Sequence, residues 1–223
     1  MLAIRIIVAA AISAGAGSAW ADGDLGAPKS ISMAATESSA NSATSDQAIR
    51  RTVWNYSVPA LQLVREDGAR VSLDRELNDG RSVVLNFIYT SCTTICPLSS
   101  QVFSLLQQRA GTNHDSVHLV SISIDPEEDT PSRLREYARQ FGAGKEWNHY
   151  TGAAASSVKV QTAFGVYRGN KMSHTPVTML RAAPGDSWVR LDGFATADDI
   201  YSELQGLRAK QKQRSQQELS AKR

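Results

Sequence analysis

The chain has 223 residues with a formal net charge of +2, and carries four Trp, five Phe and six Tyr. That length suits one domain with extra segments at its ends, and the apolar content is enough for one proper core. A charge so near balance argues against a nucleic-acid partner and gives little steering toward any other.

Met1 to Ala21 reads as a secretory signal peptide, with a weak charge at Arg5, an apolar centre from Ile6 to Ala14 and a small-x-small cleavage site at Ala19-Trp20-Ala21. The apolar run is shorter than the roughly 20 residues of a membrane-spanning helix. No cysteine follows it to carry a lipid. Export is therefore expected, with an uncleaved N-terminal membrane anchor as the alternative. It would place the domain in an oxidising compartment, where a lone cysteine pair forms a disulfide unless it is kept reduced or metallated.

Residues 22–50, rich in Ser, Ala, Thr and Gly, read as a flexible linker. The composition turns globular near Val53, and the domain is expected over residues 51–208. Leu61 to Val64 and Val71 to Leu73, around Asp67-Gly68, predict a hairpin. Val83 to Tyr89 is a near-continuous apolar run, as expected of a strand buried on both faces. Pro97 suits the first turn of a helix, with Leu98, Val102, Leu105 and Leu106 at helical spacing behind it.

Val117 to Ile124 is a second buried strand. Thr130-Pro131 then caps a helix whose buried face is Leu134, Tyr137, Ala138 and Phe141. A short strand at Trp147 to Tyr150 and a helix from Ala153 to Phe164 follow. Val177 to Ala182 and Trp188 to Leu191 flank the turn-forming Pro184-Gly185-Asp186 and read as an antiparallel pair. Thr196 and Asp199 form a capping box for a last helix carrying Ile200, Leu204 and Leu207. Residues 209–223 are a basic, polar tail, read as a fraying helix end.

The order is a hairpin, then βαβα, a short βα insert and ββα. The expected fold class is α/β and thioredoxin-like: a central mixed sheet flanked by helices, with an N-terminal β-hairpin and a βα insert. Such a fold keeps its chemistry between the first buried strand and its helix, where Cys92 and Cys96 lie. Unpaired N–H groups and the positive dipole end at a helix start favour thiolate over thiol.

Cys92 and Cys96 are the only cysteines. They can bind a soft metal together or close a disulfide. A structural disulfide would close a very small loop and stabilise little. Buried, inert thiols are the other bland reading, weakened by the position at a helix start. The redox motif C-x-x-C has one residue fewer, and the wider spacing is compatible with a metal between the sulfurs.

Two thiolates holding a metal call for another ligand. Of the four histidines, His114 and His118 sit around the edge of the second strand, with His118 read as a surface residue, and His149 lies beside Trp147 and Asn148. All three read as structural or solvated. His174 differs, because it lies in the loop before Val177, where thioredoxin-like folds place a cis-proline loop facing the cysteines. Pro176 is a candidate cis proline. If the loops meet, His174 adds imidazole to a Cys-Cys-His set.

The run Tyr89-Thr90-Ser91-Cys92 with Cys96-Pro97, the run Ser121 to Thr130 containing Asp125-Pro126-Glu127-Glu128-Asp129-Thr130, and His174-Thr175 together resemble the Sco/SenC family of copper-delivery proteins. The resemblance spans about Trp54 to Leu207. It implies a thioredoxin-like fold exported to the bacterial cell envelope, hence the periplasm, and copper, Cu(I) and/or Cu(II), bound by Cys92, Cys96 and His174. It also implies a role in building the binuclear copper centre of cytochrome c oxidase, whose copper-centre subunit is the expected partner. Some members act on thiols and disulfides, so a thiol–disulfide oxidoreductase using the same cysteines is the alternative, with a thiol–disulfide reductant as partner.

Three features depart from the family pattern. Ser173 stands where an Asp usually precedes the ligand histidine, and loss of that carboxylate loosens the orientation of an imidazole. Pro176 stands where many members lack proline, and a transmembrane tether common in the family is not expected.

The donor chemistry agrees with copper, since thiolates suit Cu(I) and imidazole suits either oxidation state. Zinc, the competitor, wants four ligands or an open water position. Lys171 and Arg168 are placed to offset the net negative charge of a Cu(I) site. Met172 is read as packing, with a thioether ligand as its sharper alternative. Asp125 is a candidate for supporting the site or docking a partner, or for a turn with Thr130.

Overall fold

The computed structural model describes residues 49–110 and 116–222. The expected signal peptide, nearly all of the linker and His114 lie outside the described residues. In chain order come β1 (Arg50–Trp54), β2 (Gln62–Arg65), β3 (Arg70–Ser72), α1 (Leu73–Leu77), β4 (Ser82–Ile88) and α2 (Ile95–Ala110). They are followed by β5 (Val117–Ser123), α3 (Pro131–Gln140), β6 (Trp147–Thr151), α4 (Ala154–Ala163), β7 (Val177–Arg181), β8 (Trp188–Asp192) and α5 (Ala197–Ala221).

The strands form one mixed sheet in the order β1-β8-β7-β4-β5-β6-β2-β3. β4 pairs in parallel with β5 and antiparallel with β7, and β5 pairs in parallel with β6. The hairpin β2–β3 turns at Gly68, whose φ of +91° a side chain would resist, and adds to the sheet through β6. This is the expected thioredoxin-like arrangement.

Period-two geometry explains why β4 reads as a continuous apolar run. Val83, Leu85 and Phe87 face a core shared with Leu73 and Leu77 of α1 and Val160 of α4. Val84 faces the opposite core with Phe103 and Leu106 of α2 and Ile200 and Leu204 of α5. Ile88 joins Cys92, Cys96, Leu134 and Tyr137 in a third cluster beside the cysteine loop. Thr130 accepts from the Arg133 N–H to cap α3, and Thr196 and Asp199 form the reciprocal capping box of α5.

Topology places the chemistry. Parallel pairing brings the loops after β4 and β5 to one edge of the sheet, and antiparallel pairing brings the loop before β7 to the same edge. Open α/β sheets bind ligands at the carboxyl ends of their strands, and three loops converge there on this one.

Several expectations need correction. Leu98 and Leu105 are exposed, at 58% and 44%, and the buried face of α2 is Cys96, Ser100, Phe103 and Leu106. Cys96 is held at the strand–helix junction, and that rotates the helix so that residues three and four apart from it turn inward. His118 is buried rather than on the surface, because α1 covers it: one ring nitrogen contacts the Glu76 carbonyl at 3.2 Å. Pro176 is not cis; among the described residues every peptide bond is trans. The strand β1 and the helix α1 were not anticipated, and α5 continues as helix through Ala221.

Candidate metal centre

The cysteine loop leaves β4 at Ile88 and enters α2 at Ile95. The Cys92 N–H donates to the Tyr89 carbonyl at 3.2 Å, closing a turn, and the Cys96 N–H donates to the Cys92 sulfur at 3.3 Å. Both cysteines are free thiols, 6% and 1% exposed. Burial pushes the Cys92 pKa up, but the backbone N–H groups of Cys96 and Thr94, with the Cys96 and Tyr89 side chains, outweigh it and bring it down to about 7. Burial dominates at Cys96 and pushes its thiol up. One thiolate poised near neutrality beside one protected thiol is the signature of this helix start.

The residue that fastens this loop is Asp129, wholly buried. Its carboxylate accepts from the Thr90 N–H at 3.1 and 3.2 Å, from the Thr90 hydroxyl at 2.5 Å and from the Ser123 hydroxyl at 2.6 Å. Thr90 is therefore fixed two residues before Cys92. Asp129 belongs to the acidic run that carries the family resemblance, yet reading that run assigned roles only to Asp125 and Thr130. The missing signal is tertiary: an acid next to a helix cap reads as solvated until the parallel strands bring it under Thr90. On the other side of Cys96, Ser100 and the Tyr137 hydroxyl hydrogen-bond at 2.8 Å and tie α2 to α3.

The histidine loop holds a short 3-10 turn, Lys171–Ser173, capped by the Asn170 side chain, which accepts from the Met172 N–H at 2.9 Å. His174 Nε2 lies 3.0 Å from the Phe87 carbonyl, near the end of β4. A carbonyl can only accept, so this contact assigns the proton to Nε2 and leaves the lone pair on Nδ1. Burial lowers the His174 pKa against the Phe87 bond, and Arg168 lowers it further, so the ring is in the neutral, ligating form at neutral pH. Ser173 is exposed and offers no carboxylate to the ring.

Tyr89 joins the two loops. Its hydroxyl donates to the Met172 sulfur at 3.7 Å, and the Lys171 ammonium stands 5.7 Å from its ring centre. Lys171 also pairs with Asp125, which roots the histidine loop in the loop after β5. Asp125 thus has two roles: this ion pair, and a turn in which its carbonyl accepts from the Glu128 and Asp129 N–H groups. Arg168 donates to the carbonyls of Gly165 and Tyr167. A cleft of about 380 Å³ opens beside His174, lined also by Asp125, Glu127, Ser157, Arg168 and Lys171.

The structure brings Cys92 and Cys96 together and sets His174 on the neighbouring loop, but does not close the set. Among the described residues, no three His, Cys, Asp or Glu side chains converge closely enough to hold a metal ion. His118 and His149 lie elsewhere in the sheet. The His149 ring is fully buried against Trp147 and Tyr137, and burial alone lowers its pKa to about 3.

Comparison with known proteins gives the family. The SCO1 protein homolog of Bacillus subtilis (strain 168) is 32% identical over 106 residues, 47% of this chain and 54% of that protein. The chain spans about half the length of the curated relatives it matches. The copper-bound structure of ScoI from Bradyrhizobium japonicum is 27% identical with a TM-score of 0.56, covering 66% of this chain and 96% of that one. The structure of BsSco, a member of the Sco family of cytochrome c oxidase assembly proteins in which a disulfide switch was identified, is 25% identical with a TM-score of 0.59, covering 70% and 95%. The SCO1/SenC family model matches residues 55–208, which hold every strand of the sheet but β1, both cysteines and His174, and the chain belongs to that family.

Proposed function

We propose that this protein is a copper chaperone of the periplasm. It carries one copper ion on the thiolates of Cys92 and Cys96 and on His174, and passes it to the copper-centre subunit during assembly of the binuclear centre of cytochrome c oxidase. The observation that carries this reading is the pairing of a thiolate-prone Cys92 with Cys96 at the edge of the sheet where a neutral His174 also arrives, its Nδ1 free. Two soft sulfurs and an imidazole suit Cu(I), and imidazole extends the set to Cu(II). Copper-bound and oxidase-assembly relatives support the same reading. Ligation requires the histidine loop to shift toward the cysteines and both thiols to lose their protons. In this reading residues 1–21 direct export, residues 22–50 link and residues 51–208 bind copper. Among the described residues no helix is long and apolar enough to cross a membrane.

The decisive measurement is an anaerobic Cu(I) titration of the reduced protein against a competing chelator. We expect one equivalent to bind, weakened by His174→Ala and abolished by Cys92→Ser. An affinity for Cu(I) and Cu(II) untouched by His174→Ala would sink the three-ligand site.

The unequal acidity of the two thiols favours a second reading, thiol–disulfide exchange, with Cys92 attacking and Cys96 resolving. Insulin reduction at a rate that depends on both cysteines, together with absent copper binding, would put this reading first.

A further inference from the structure

Copper held by buried thiolates must still leave. Cys92 and Cys96 are 6% and 1% exposed, so an acceptor's ligands cannot meet both sulfurs directly. Ligand exchange needs a donor of the same softness at the surface, next to the thiols.

Among the described residues one such donor is in place. Met172 is 73% exposed, whereas Met179 in β7 is fully buried. A methionine used for packing looks like Met179, so packing does not explain Met172. Its sulfur is nonetheless placed: it accepts from the Tyr89 hydroxyl at 3.7 Å. Tyr89 in turn packs with Cys92 and Cys96 in one buried cluster. The turn beneath Met172 is fixed from two sides, by the Asn170 cap on its N–H and by the Lys171–Asp125 ion pair. A solvent-facing thioether, held across one tyrosine from a buried thiolate, lies between the site and solvent.

We propose that the Met172 thioether is a soft ligand for Cu(I) at the mouth of the site, taking the ion from Cys92 and Cys96 before an acceptor does. The inference rests on the copper reading above. The metal stays Cu(I) throughout: a copper–thiolate bond is exchanged for a copper–thioether bond, the freed thiolate takes a proton from solvent, and no electron moves. Thioethers suit Cu(I) and bind Cu(II) poorly, so the path is selective for the reduced ion.

The test uses the full, reduced chain carrying methionine labelled with ¹³C at the methyl group, under anaerobic conditions. With one equivalent of Cu(I), the Met172 methyl resonance, assigned by its loss in Met172→Leu, should shift while that of buried Met179 stays in place. Release of Cu(I) to excess chelator should be severalfold slower in Met172→Leu than in wild type, with circular dichroism confirming the fold. Cu(I) bound in a Cys92-dependent manner with an unmoved Met172 methyl and wild-type release in Met172→Leu would overturn the thioether ligand and leave the copper reading standing. Cu(I) binding unaffected by Cys92→Ser would overturn both.

Discussion

The cysteine loop and the histidine loop meet at Tyr89 but are built differently. On the cysteine side, Cys92, Cys96 and Asp129 are buried, and Asp129 alone collects hydrogen bonds from Thr90 and Ser123. The histidine side is a turn with no buried residue, held by the His174–Phe87 contact, the Asn170 cap and the Lys171–Asp125 pair. One half of the candidate centre is part of the core, and the other half rests on its surface. Few buried contacts make local rearrangement inexpensive, so under the proposed copper reading closing the three-ligand set falls to the histidine loop. A carrier that must both hold and release an ion benefits from that asymmetry.

The largest expected effect lies beneath the cysteine side. Phe103, packed on Trp147 with ring centres 5.6 Å apart, anchors α2, and Phe103→Ala should cost about 3–5 kcal/mol in urea unfolding. Leu98→Ser, on the exposed face of the same helix, should stay within about 0.5 kcal/mol. Equal losses would mean that the helix face is misassigned.

Asp129→Ala comes next. It leaves buried donors on Thr90 and Ser123 without an acceptor, and we expect about 2–3 kcal/mol of destabilisation with a faster, less selective reaction of Cys96 with iodoacetamide. A stable variant with wild-type thiol reactivity would remove Asp129 from its bracing role.

Thiol reactivity tests the helix start itself. Cys92 is depressed to about 7, so its thiolate fraction rises as pH passes through that value, and alkylation of the reduced protein at Cys92 should be half-maximal there. Cys96 is shifted the other way and should remain protected across the same range. A single titration of both thiols above pH 8, the range of an ordinary cysteine, would contradict the asymmetry.

The smallest effect on stability belongs to the histidine side. Lys171→Ala removes the surface partner of a part-buried ion pair and leaves the Asp125 carboxylate unpaired, so it should lower the urea midpoint slightly, by less than Asp129→Ala does, and weaken copper retention by loosening the loop. A midpoint lowered as far as in Asp129→Ala would show that the histidine loop is as much part of the core as the cysteine loop. Unchanged midpoint and unchanged retention would show that Lys171 does not position His174.

The two sides also differ in how readable they were. The cysteine motif is a local event, an apolar strand feeding a proline-started helix, and local periodicity exposes it. The same holds for the Thr130 and Thr196 caps and for the β2–β3 hairpin. Periodicity misled at α2, where Leu98 and Leu105 suit a helix face but the junction at Cys96 turns that face to solvent. β1 escaped because its residues are mostly exposed and show no alternation; it exists as a strand through pairing with β8. α1 is five residues long, too short to be stable alone, and forms because Leu73 and Leu77 reach the core. His118 was misread for the same reason, since the element that buries it had not been foreseen.

By itself, the sequence determined the fold class and the order of most elements and nominated Cys92, Cys96 and His174 as candidate donors, because these follow from short-range pattern and from motifs that resemble a known family. Tertiary structure decided which thiol is acidic, that Asp129 holds the loop, that Pro176 is trans, and that Met172 faces solvent beside Tyr89. Each of those depends on residues far apart in the chain meeting at one edge of the sheet, and strand pairing, which sequence spacing does not encode, sets that meeting.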